Sequence, residues 1–98
     1  MLKHVVFINL NDPTPEIMQE TVRRLLAMEG NVPELKAIEA GFDILRSERS
    51  YDICLITTFE SLEAMEAYQV HPVHMDVLAY LTTVRKSSCC VDFEFNTE

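Results

Sequence analysis

Tryptophan is absent from this 98-residue chain, glycine occurs twice and proline four times. So few glycines leave no glycine-rich loop to cradle phosphates. Three cysteines are an odd count without paired spacing, so no disulfide framework is expected. Basic residues are scarce: 8 Lys and Arg stand against 16 Asp and Glu, a net charge of −8. Nucleic-acid binding needs a basic stripe, and an anionic membrane surface needs a basic patch; both are excluded as partners. The longest apolar runs, such as Val5 to Ile8 and Val77 to Leu81, fall far short of the ~20 residues that span a bilayer. The apolar run after Lys3 is too short for a signal peptide. A soluble, cytoplasmic protein is expected.

What is present fits one globular domain over residues 1–98, with 48% hydrophobic and 24% charged residues. A chain this short buries only roughly 60% of its unfolded surface, so a partner subunit would add needed stability.

Residues 2–10 read as a strand rich in β-branched and aromatic side chains. Leu2, His4, Val6, Ile8 and Leu10 share one face; Lys3, Val5, Phe7 and Asn9 share the other. After the turn at Asn11 to Pro13, Thr14 caps a helix with Pro15 in its first turn. An apolar stripe through Ile17, Met18, Val22, Leu25, Leu26 and Met28 carries that helix to Gly30-Asn31. A second strand is expected within residues 35–46, where Gly41 suggests a bulge or a close backbone approach. Arg46 to Ser50 connect it to a third strand over 51–59. Ser61 caps a second helix, whose one side carries Leu62, Met65, Tyr68 and Gln69. Pro72 disfavours helical angles at His71, so the helix breaks there and a third runs from Pro72 to about Thr83. A fourth strand is expected over 88–95.

The order β-α-β-β-α-α-β is that of an α+β, ferredoxin-like split βαβ unit with an extra helix. Its helices cover one sheet face only. The other face would expose Val5, Phe7, Val91, Phe93 and Phe95, more apolar surface than monomers usually leave in water. A second copy packing sheet to sheet, a homodimer, is the expected partner.

Three histidines carry the candidate chemistry: His4, His71 and His74. Tyr68, His71 and His74 flank the Pro72 break, and His4 lies on a central strand under the helices. A neutral histidine beside a tyrosine hydroxyl can move protons on a carbonyl compound. His74 is the expected base, neutral through burial, with Tyr68 as its orienting partner and His4 facing them. The plainer reading makes these residues core or helix-start polar groups. A three-histidine metal site is a weaker alternative, because His-x-x-His converges poorly across a proline break. Cys54, Cys89 and Cys90 read as small buried apolar residues.

These residues resemble the stress-responsive dimeric α/β-barrel (Dabb) domain family. The resemblance rests on Met1 to Val6, Tyr51-Asp52-Ile53, Phe59-Glu60-Ser61, Tyr68 to His74, and Val91-Asp92-Phe93. It implies a ferredoxin-like monomer with a four-stranded antiparallel sheet, and a homodimer whose two sheets close a barrel. It also implies a pocket for a small apolar or aromatic molecule. A plant polyketide cyclase of the family closes an aromatic ring by aldol condensation, and its catalytic positions match Tyr68 and His74. His4 matches a pocket position and His71 a further histidine, expected to bind ligand. No cofactor and no side-chain metal site is expected. Some plant members hold magnesium through backbone carbonyls, at positions matching Glu29, Val32 and Leu35. Phe42 and Met75 to Leu81 do not match the cyclase's pocket lining, so its substrate does not carry over. Related barrel monooxygenases that depend on tryptophan are a poorer match. A non-catalytic, stress-related binding dimer with the same pocket is the rival expectation.

Overall fold

The computed structural model describes residues 1–96. The elements follow the order β1 (Leu2–Leu10), α1 (Pro15–Leu26), β2 (Ala37–Phe42), β3 (Ile53–Phe59), α2 (Leu62–Gln69), α3 (Pro72–Val84) and β4 (Arg85–Glu94). The sheet has four strands in the order β2-β3-β1-β4, and its neighbouring strands pair antiparallel. This is a ferredoxin-like arrangement, with β1 and β3 central and the helices on one face.

Local chemistry starts each helix. Thr14 Oγ1 accepts from the Ile17 amide, and Ser61 Oγ accepts from the Ala64 amide. His71 starts α3 in the same way: its Nδ1 accepts from the Val73 amide at 3.1 Å, and Pro72 takes the first turn. The apolar face of β1 packs under the helices, where Leu2, Ile8, Leu10, Leu25, Ile53, Phe59 and Tyr68 form the buried centre.

Several boundaries differ from the expected ones. Helix α1 stops at Leu26, because Met28 and Glu29 tighten into turns and Gly30 takes φ 79°. Strand β2 ends at Phe42 rather than 46. Asp43 accepts the Arg46 amide at 2.6 Å and turns the chain there, with Arg46 itself at φ 57°. Ile44, expected on the strand, stands exposed. Gly41 makes no bulge: it pairs in register with Cys54, and nothing crowds its Cα.

Strand β4 begins at Arg85, three residues earlier than position 88, running straight out of α3. Cys89 and Cys90 are exposed, not buried, because β4 is an edge strand that the helices do not roof. Leu62 and Gln69 are also exposed, while Met65 and Tyr68 hold α2 to the core.

The face opposite the helices carries Phe7, Val91 and Phe93, which are 42%, 63% and 44% exposed. Among the described residues no helix is long and apolar enough to cross a membrane.

Candidate active site

A cleft of about 460 Å³ opens between the helix-side face of the sheet and the helices. Val6, Ile8, Leu55, Leu78 and Leu81 give it an aliphatic lining, and His4, Tyr68 and His74 all border it. The three expected side chains therefore meet in one cavity. β1 supplies His4, the buried side of α2 supplies Tyr68, and the first turn of α3 supplies His74.

Tyr68 is 1% exposed and packs on Phe59, with ring centroids 4.9 Å apart. Its other neighbour is the His74 ring, 4.3 Å away between centroids. Burial pushes the Tyr68 hydroxyl up to about 12, so it stays protonated and can donate.

His74 Nδ1 lies 2.9 Å from the Gln69 carbonyl oxygen. A carbonyl only accepts, so Nδ1 carries the hydrogen and the neutral ring keeps its lone pair on Nε2. Burial lowers the His74 pKa below 6.5. The bond to Gln69 opposes that shift, and the nearby His4 reinforces it. A neutral imidazole with a free Nε2 is what a general base at neutral pH requires.

His4 reaches the same cleft from below and is held by Asp92, whose carboxylate Oδ1 accepts from His4 Nδ1. The two residues are cross-strand partners on β1 and β4. The role of Asp92 was not read from sequence, although it lies inside the Val91-Asp92-Phe93 motif. Finding it requires the β1–β4 register.

His71 does not join the others. Its Nδ1 is committed to the Val73 amide, and it does not line the cleft. The three histidines therefore do not converge as metal ligands, and no group of three or more His, Cys, Asp or Glu side chains gathers to hold a metal among the described residues. In the loop after α1, the Val32 carbonyl accepts the Leu35 amide at 3.1 Å. The Glu29, Val32 and Leu35 carbonyls thus lie in one tight turn region, and the Val32 oxygen keeps a second lone pair beside that bond.

Comparison with known proteins agrees with the fold. Olivetolic acid cyclase of Cannabis sativa is 26% identical over 77 residues, covering 76% of each protein. A dimeric ferredoxin-like protein of unknown function from Bacteroides fragilis superposes with a TM-score of 0.83 at 26% identity, covering 96% of this chain and 95% of that one. A dimeric ferredoxin-like protein of unknown function from Thermobifida fusca gives 0.85 at 25% identity, covering 96% and 90%. The model of the stress responsive A/B barrel domain (Dabb) matches residues 2–95, and the chain belongs to that family.

Proposed function

We propose that this chain works as a homodimer whose cleft binds a small apolar or aromatic carbonyl compound and moves protons on it without a cofactor. The chemistry in view is ring closure by aldol condensation. The observation that carries the reading is the His74–Gln69 bond, which leaves Nε2 unprotonated in an apolar cleft beside a protonated Tyr68 hydroxyl. The name of the cyclase relative supports the same class of reaction.

In this reading His74 Nε2 takes a proton from a carbon next to a carbonyl. Tyr68 hydrogen-bonds the oxygen on which the charge develops. The resulting enolate carbon attacks a second carbonyl of the same molecule, forming the ring bond. The new alkoxide takes that proton back from the His74 imidazolium, which restores the neutral base, and loss of water follows. Asp92 holds His4 at the opposite side, where its ring positions the substrate oxygen.

The test is turnover of an alkyl-substituted poly-β-ketone, followed by aromatic absorbance and product mass. Wild-type protein should form a ring product. His74→Ala should lower kcat by ~10²–10⁴-fold with the fold intact. Tyr68→Phe should lose less, because the packed ring remains. Binding of the ketone in the cleft without any product would instead make this a non-catalytic binding dimer.

A further inference from the structure

The fourth strand does not run evenly beside the first. His4, Val6 and Ile8 pair with Asp92, Cys90 and Ser88, so those β4 residues share the helix-side face. Simple alternation would bring Lys86 to that face next and turn Arg85 away. The register shifts between Asn9 and Leu10, so Asn9 pairs with Ser87 but Leu10 pairs with Arg85. A bulge of this kind re-aims a side chain. Arg85 thereby lines the cleft, and Lys86 does not.

The cleft's charge stands out against the rest of the chain. The protein carries a net charge of −8, yet no Asp or Glu is among the residues lining the cleft. Among the described residues, the ion pairs of lysine and arginine engage Arg23, Arg24, Lys36 and Arg46, and Arg85 belongs to none of them. Along β1 the floor from His4 to Ile8 spans about 13 Å of apolar surface, with Arg85 beyond its far end.

Resting on the cleft as a ligand site, we propose that Arg85 is a carboxylate subsite. The ligand is an elongated apolar molecule with a carboxylate at the end away from His74 and Tyr68. The planar guanidinium fork suits a carboxylate. The bulge sets the polarity with which such a molecule enters, carboxylate toward Arg85 and the opposite end toward His4.

The experiment compares octanoate with octan-1-ol by NMR titration, reading amide shifts of Val6, Ile8 and Ser88. Wild-type protein should bind octanoate about 10-fold or more tighter than the alcohol. Arg85→Gln should remove that preference. Lys86→Gln, the same charge change outside the cleft, should keep it. Equal binding of both probes, or a preference that survives Arg85→Gln, overturns the subsite and leaves the cleft as an apolar binding site. Failure of both probes to shift the cleft amides overturns the subsite and the cleft reading together.

Discussion

His4 and Asp92 face each other across the β1–β4 ladder, and the carboxylate of Asp92 accepts the His4 Nδ1 hydrogen. That bond fixes the ring and leaves His4 Nε2 as its free nitrogen. Asp92 does not line the cleft itself, so it acts as a positioning residue. Asp92→Ala should lower kcat on the order of 10²-fold through a misplaced ring. Its unfolding midpoint should hardly move, since the Asp92 side chain is 37% exposed. Unchanged kcat would remove the positioning role.

The pH profile follows from the two shifted groups. His74 must be neutral to accept a proton, and burial holds its pKa below 6.5. Activity should therefore persist through pH 6.5 and fall only as pH drops through that lowered value. Tyr68, pushed up to about 12, should add no alkaline limb below pH ~11. Stability is linked with the same sign: it rises with pH between the lowered value and 6.5, and that contribution is lost below. Measuring kcat/KM against pH checks the window, and an acid limb centred above 6.5 contradicts it.

The homodimer is expected to bury Phe7, Val91 and Phe93, which one copy leaves largely open to water. Both copies would offer the same patch, an isologous contact. Light scattering coupled to gel filtration should give about twice the monomer mass. Phe93→Asp should break the dimer and lower stability. A clean monomer at micromolar concentration contradicts the assembly.

Asp52 ties the sheet to the β2–β3 connection. Its buried carboxylate accepts the Leu10 amide at 2.7 Å and the Arg46 guanidinium at 2.6 Å. Asp52→Ala strands that amide at the end of β1. The expected loss is about 1–3 kcal/mol, read as a lower urea midpoint at unchanged slope. An unchanged midpoint would mean that water replaces the carboxylate without cost.

Much of this was legible locally. β1, the Thr14 and Ser61 caps and the His71–Pro72 break are short-range chemistry, and the structure places each where the sequence points. The meeting of His4, Tyr68 and His74 followed from topology, because β1 is central and α2 and α3 join above it. What could not be read depends on pairing between distant segments. Asp92 lies 88 positions from His4 and is found only through the strand register. The start of β4 is polar and lies at a sheet edge, so Arg85 to Ser88 show no buried alternation. The same edge position exposes Cys89 and Cys90, whose residue type alone points to a core.

The most direct test of the site is the titration of the His74 imidazole, followed through its two ring nitrogens by NMR. The geometry requires a hydrogen on Nδ1, a bare Nε2 at pH 7, and a pKa below 6.5. That result would place a working base beside Tyr68 in the cleft. A ring still charged at pH 7, or a neutral ring with its hydrogen on Nε2, would contradict the account.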